Sequence, residues 1–186
     1  MASTFLHYFN RGVNRAPIFY ETDNYSYLTQ GMYRFLPHYK VELVAYCLTP
    51  NHYHILLEEL EGKQASRFIQ RVFNLYTQAM NKRYSRVGTL FQGSAKHTEF
   101  LSSEDTATVI GYIHQNPVAA GLVKHPSEWM FSDYNEWAGK TGSARKVVKY
   151  RENLFGSLVD YEEFVENETL KRFFQPFQGL IRSEDK

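Results

Sequence analysis

Residues 46–58 read "YCLTPNHYHILLE", two apolar runs parted by a Pro-Asn pair. Extended outward, "YKVELVAYCLT" (39–49) and "HYHILLEEL" (52–60) carry the β-branched and aromatic residues of strands, and Pro-Asn is turn chemistry. So short a connection makes them an antiparallel hairpin. Side chains two apart on a strand share a face, so His52 and His54 stand side by side while Tyr53 and Ile55 face the other way. Two imidazoles on one face are half of a metal site. Taken alone, such a pair is more often two ordinary sheet residues, so the other half must come from elsewhere in the chain.

Upstream, "TFLHYFN" (4–10) alternates as a first strand, and "RGVNRAP" (11–17) is a basic, glycine-containing turn that exposes Arg11 and Arg15. Asp23 or Asn24 caps a helix running to about Leu36, with Tyr27, Leu28, Met32 and Phe35 on one side and Pro37 ending it. Downstream, residues 64–84 form a long amphipathic helix. Its apolar stripe is Phe68, Val72, Leu75, Tyr76 and Ala79; Arg67, Arg71 and Lys82 fall outside it. "RVGTLFQGSAKHTEFL" (86–101) ends in a strand, with Lys96 just before it. Ser102 or Ser103, followed by Glu104 and Asp105, opens another helix that Pro117 should end or kink. Residues 128–149 are aromatic and then loop-like, and a short helix near 158–174 closes the chain.

The order β-α-β-β-α-β-α describes an α+β fold: one antiparallel sheet with helices on one side, a ferredoxin-like or RRM-like split βαβ arrangement. A domain over 1–138 followed by an extension over 139–186 accounts for the 186 residues. A single cysteine, Cys47, excludes an internal disulfide framework and a Cys-rich zinc site; in its apolar run it reads as a small buried hydrophobe. No apolar run approaches the roughly 18 residues that span a bilayer. The start, "MASTFLHYFNRG", has no signal-peptide pattern, so a cytoplasmic protein without a membrane partner is expected.

Net charge is only +1, but its distribution is uneven. Residues 62–97 hold Lys63, Arg67, Arg71, Lys82, Arg83, Arg86 and Lys96 without one Asp or Glu, which suits a polyanion. From residue 160 onward acids dominate, the pattern of a solvated face.

The remaining chemistry lies in "GYIHQNP" (111–117). Tyr112 and Asn116 are i and i+4 on a helix, so they look out together from its surface. A tyrosine hydroxyl, a carboxamide oxygen and two imidazoles form a recognisable chemical set. His114 points away from Tyr112 and reads as a packing or surface residue. His7 and His97 read as surface polar residues, and Tyr46, Tyr76 and Tyr84 as core or helix-face residues.

Four blocks in order, "FNRGVNRAPIF", "AYCLTPNHYHILL", "GTLFQGSAKHTEF" and "YIHQNPVAAGLV", resemble the single-tyrosine HUH transposases, specifically the REP-associated tyrosine transposases. The resemblance covers about residues 5–135. It implies an HUH nuclease fold in which His52 and His54 are metal ligands, Asn116 completes the metal shell and Tyr112 is the nucleophile. It implies a metal-dependent single-strand endonuclease and strand transferase that leaves a 5′-phosphotyrosine link and a free 3′-OH. Mg²⁺ or Mn²⁺ suits imidazole, amide oxygen and phosphate better than a closed zinc site does. The expected partner is single-stranded or hairpin DNA, with repetitive extragenic palindromes as the implied target. Arg11, Arg15, Arg67, Arg71, Lys82, Arg83 and Lys96 are the residues expected to hold it; monomer and homodimer both fit. A catalytically inert RRM-like module would carry aromatics, not histidines, at the sheet centre. A relaxase or replication initiator is the alternative within the HUH nucleases.

Overall fold

The hairpin forms at the Pro-Asn pair. In the computed structural model, which describes residues 4–143 and 145–167, β2 (Val41–Thr49) and β3 (His52–Glu59) flank that two-residue turn. With β1 (Thr4–Arg11) and β4 (Lys96–Phe100) they make a four-stranded antiparallel sheet in the order β2-β3-β1-β4. Helix α1 (Thr22–Phe35) joins β1 to β2, and α2 (Gln64–Arg83) joins β3 to β4. Both connections skip a strand position, so β1 and β3 end side by side at the centre, as the split βαβ reading requires. After β4 come α3 (Ser103–Ala119), α4 (Tyr134–Trp137), α5 (Val147–Phe155) and α6 (Leu158–Glu166). The chain divides into two compact units, Met1–Leu43 with Leu48–Glu99, and Val44–Cys47 with Phe100–Lys186.

In the first unit, β1 and β3 pair so that Phe9 faces His54 and Arg11 faces His52. The Tyr53 side of β3 is packed by α2: Tyr53 stacks on Phe73 with centroids 4.0 Å apart, and Phe91 meets both rings edge-on. The buried stripe of α2 is Ala65, Phe68, Ile69, Val72, Phe73, Tyr76 and Met80. Leu75 and Ala79, expected in that stripe, are only half-buried. On α1 the buried set is Asn24, Tyr25, Leu28 and Met32. Tyr27 was expected on this side but is 51% exposed, because the buried face is centred on the 25-28-32 row. Glu21 caps α1: its side chain accepts from the Asn24 backbone while the Asn24 side chain accepts from the Glu21 backbone. The sequence pointed to Asp23 or Asn24, and Asn24 does take part, three residues into the capping box.

The loop after β1 braces the hairpin turn. Gly12 N–H donates to Asn51 O at 2.8 Å, and Ile18 and Phe19 N–H both donate to Pro50 O at 2.7 and 3.1 Å. The Asn51 amide donates to Arg15 O at 3.3 Å. Gly12 is needed for this close approach, since a Cβ there would lie 2.0 Å from Ala16 O.

In the second unit, α3 is buried almost all round, from Thr106 and Ala107 through Val109 to Pro117. A helix buried on every side is a core helix. Pro117 does not break it: α3 runs on to Ala119, because Pro117 falls in the last turn, where its missing N–H costs one bond near a helix end. His114, at the centre of α3, is fully buried in a polar network. Its Nε2–H donates to Asp133 Oδ1 at 3.0 Å, and its Nδ1 lies 2.8 Å from the Tyr161 hydroxyl. Asp133 also accepts from Tyr46 N–H at 2.7 Å, Trp137 Nε1–H at 3.2 Å and Arg145 Nη2 at 2.7 Å. Cys47 is buried, and burial pushes its thiol well up, consistent with a packing role. Helix α5 lies partly in the stretch read as loop, and α6 begins where a closing helix was expected; that helix's later residues fall outside the described ones. Among the described residues, no helix is long and apolar enough to cross a membrane.

Candidate active site

His52 and His54 open β3 on one face of the sheet, with ring centroids 5.3 Å apart and near-perpendicular planes. His52 is half-buried and held through Nδ1, which lies 2.8 Å from both Thr49 Oγ1 and Asn51 Oδ1. The Asn51 amide nitrogen is turned to Arg15 O, so its oxygen faces the ring. The Thr49 hydroxyl donates to His52 O at 2.9 Å, so its oxygen, too, accepts from the ring. Both neighbours being acceptors, the hydrogen sits on Nδ1 and the lone pair on Nε2. The brace from the 11–19 loop holds Asn51, and through it His52.

His54 is fully buried. Burial first, and then the neighbouring His7 and His52 rings, hold its pKa well below the ordinary imidazole value, so it is a neutral donor at neutral pH. Its Nδ1 lies 2.9 Å from Nε2 of His7, and the two rings stack at 5.0 Å. His7 was expected at the surface but is 1% exposed, and burial lowers its pKa to about 3. The reason is that β1 is covered on both faces, Leu6, His7, Tyr8 and Phe9 all being buried. The signal was available: His7 sits between Phe5 and Phe9 on one side of a strand whose other side, Leu6 and Tyr8, is apolar as well.

Arg11 shares the histidine face, opposite His52 in the β1–β3 register. Its Nε donates to Gln92 Oε1 at 2.8 Å, which holds the guanidinium at that end of the sheet. Arg15 is exposed in the loop with a left-handed backbone, φ 58°. On α2, Arg67, Arg71 and Lys82 are exposed or nearly so, and the Arg71 guanidinium lies 5.2 Å from the Phe35 ring. Arg83 is engaged by Glu21 at 2.5 Å and Asp23 at 3.4 Å, so a phosphate must compete with two carboxylates for it. Lys96 begins β4, an edge strand of the sheet. His97, on the same strand, is exposed as expected, and its ring stacks on Tyr8 at 5.1 Å.

Tyr112 and Asn116 lie one turn apart on α3, as their spacing predicts. They are not at the surface: Tyr112 is 2% and Asn116 6% exposed, a consequence of α3 being a core helix rather than an amphipathic one. The neighbouring positions 114 and 115 are committed to α6, His114 through Tyr161 and Gln115 through a 2.7 Å bond to Val165 O, which fixes the rotation of α3.

Among the described residues, no group of three His, Cys, Asp or Glu side chains is placed to hold a metal ion by itself. The His52–His54 pair nonetheless fits a divalent cation as a partial site. Both rings are anchored at Nδ1, His54 is neutral, and the remaining ligands would be oxygens from an amide and from substrate.

The chain is similar to a Haemophilus influenzae protein provisionally named a REP-associated tyrosine transposase, 26% identical over 110 residues, or 53% of this chain and 61% of that one. It therefore spans about three-fifths of that relative's length. Its fold is similar to the solved structure of a REP-associated tyrosine transposase bound to a REP hairpin, with a TM-score of 0.64 and 21% identity over 75% of this chain and 81% of the other. A family model described as "Transposase IS200 like" matches residues 3–116, which take in β1 through Asn116. The chain belongs to the IS200-like transposase family.

Proposed function

We propose that the protein nicks and rejoins single-stranded or hairpin DNA through a tyrosine-linked intermediate. In this reading Tyr112 is the nucleophile, and His52, His54 and Asn116 hold Mg²⁺ or Mn²⁺. The observation that carries it is the His52–His54 pair: two imidazoles on one sheet face, each secured through Nδ1, with Arg11 opposite His52. A bound divalent cation would neutralise charge on the scissile phosphate as the transition state forms. The Tyr112 oxygen attacks phosphorus, the P–O3′ bond breaks, and the departing 3′ oxygen takes up a proton. A free 3′-OH later attacks the phosphotyrosine, restores the phosphodiester and releases the tyrosine hydroxyl.

Hairpin DNA is the proposed substrate because the structurally similar transposase was solved with a REP hairpin. The acid-free stretch that carries Arg67, Arg71 and Lys82 supplies cations for its backbone. A 440 Å³ cleft in the first unit, lined by Asn10, Gln70, Asn74, Thr77 and His97 among others, offers amides and other polar groups that can hydrogen-bond unpaired bases. Incubating the full chain with end-labelled hairpin DNA and Mn²⁺ tests the reading. A covalent adduct is expected on the peptide containing Tyr112, absent from Tyr112→Phe and absent in EDTA. An adduct on another tyrosine, or cleavage by Tyr112→Phe near the wild-type rate, overturns it.

A further inference from the structure

We infer that His7 is a positioning residue: it sets which nitrogen of His54 carries the lone pair, and so whether His54 can bind a cation. The inference rests on the proposed metal site, and its geometry is all within the first unit. His7 Nε2 and His54 Nδ1 are 2.9 Å apart, both rings are at most 1% exposed, and they stack with planes 25° apart. One ring must donate to the other, which allows two arrangements of equal charge. In the first, His54 Nδ1–H donates to His7 Nε2; the lone pair of His54 is then on Nε2, and His7 carries its hydrogen on Nδ1. In the second, His7 Nε2–H donates to His54 Nδ1; His54 then carries hydrogen on Nε2 and has no lone pair left for a ligand bond.

Only the first arrangement makes His54 match His52, whose hydrogen is already fixed on Nδ1 by two acceptors. Cation binding must therefore select it, with His7 as the acceptor. Metal-ligating histidines nearly always donate their second N–H to a carboxylate, carbonyl or water, and losing that partner costs roughly 10–100-fold in metal affinity. Here the partner is a second, buried imidazole on the neighbouring strand. It orients the ring without bringing a negative charge into the site.

The test uses three forms of the full chain: wild type, His7→Phe and His7→Gln. Phe keeps the ring volume and removes both nitrogens; Gln places an acceptor oxygen near the position of Nε2. Mn²⁺ affinity measured by calorimetry on the DNA-free protein should fall roughly 10–100-fold in His7→Phe and recover most of that drop in His7→Gln. Nitrogen NMR of wild type should show the His54 hydrogen on Nδ1 once Mg²⁺ is added. Wild-type Mn²⁺ affinity in His7→Phe, or a His54 hydrogen on Nε2 in the Mg²⁺-loaded protein, overturns the inference. Should His7→Phe fail to fold, the NMR result on wild type and the affinity of His7→Gln decide it. Wild type that binds no Mn²⁺ at all overturns the metal site itself along with the role of His7, an outcome distinct from failure of His7 alone.

Discussion

At Tyr112, one oxygen separates two expectations. The side chain is 2% exposed, so Tyr112→Phe removes a buried hydroxyl and should cost about 0.5–1.5 kcal/mol of stability. Loss of cleavage should instead be complete, because no other atom of the side chain can bond to phosphorus. Thermal unfolding and hairpin cleavage on the same preparation check both: a folded, DNA-binding, inactive variant is expected. His52→Ala should likewise abolish Mn²⁺-dependent cleavage. Since His52 is only half-buried, it should do so with little change in hairpin affinity, most of which comes from neutralising phosphates. Titrating the hairpin at fixed salt separates the two effects. Asn116→Ala should lower activity less than His52→Ala, because water can take one position of a loosely held oxygen shell.

Two elements carry separable jobs. Helix α2 turns an aromatic stripe to the sheet and leaves Arg67, Arg71 and Lys82 outside it. Charge reversal at each should weaken hairpin binding and flatten its salt dependence, by about one unit of slope for each phosphate that the variant no longer neutralises. A slope unchanged in all three variants would mean that this face of α2 meets something other than DNA. Arg83 should show a smaller effect, as Glu21 and Asp23 already engage it. The loop between β1 and α1 braces the Pro50–Asn51 turn and, through Asn51, the His52 ring. Gly12→Ala brings a Cβ to 2.0 Å from Ala16 O, so the loop must shift. A destabilisation of about 1–3 kcal/mol is expected, the range for overpacking, together with weaker Mn²⁺ binding. Denaturant unfolding and metal titration read both. The hairpin and helices α1 and α2 are legible in periodicity and turn residues; the brace is not, because apart from the Asn51 amide it is made of backbone groups that any sequence has.

At the scale of the whole molecule, the buried network around Asp133 ties stability to pH. Burial alone would raise this carboxyl. The Arg145 guanidinium, His114 and the Tyr46 N–H outweigh it and hold Asp133 below its ordinary value of 3.8. The folded state therefore keeps Asp133 ionised where the unfolded chain has begun to bind a proton. The stabilisation is fully present above about pH 4 and drains as pH falls through the folded pKa. Asp133→Asn should cost about 3 kcal/mol near neutrality, since a buried pair loses one charge. The gap between it and wild type should narrow as the pH drops below about 4. Urea unfolding of both proteins across that range checks this; a gap constant down to about pH 2.5 would remove Asp133 as its source.

The alternation of β3 and the Pro-Asn turn were enough to put His52 and His54 on one face, because a strand's period is set by the backbone whatever surrounds it. The i, i+4 spacing of Tyr112 and Asn116 followed in the same way from helix geometry. Exposure did not follow. The pattern puts His7, Tyr112 and Asn116 at the surface and leaves His114 as a packing or surface residue, yet all four are buried, because burial depends on what packs against an element. The polar residues of α3 at 112, 114, 115 and 116 point in several directions round the helix: the Asp133–Tyr161 network absorbs His114, and the Val165 carbonyl takes Gln115. Residues 7 and 54 are 47 positions apart, and only the pairing of β1 with β3 brings the two rings within hydrogen-bond distance. Local periodicity thus determined which residues stand together on one element; tertiary packing decided which are enclosed and which partner each one finds.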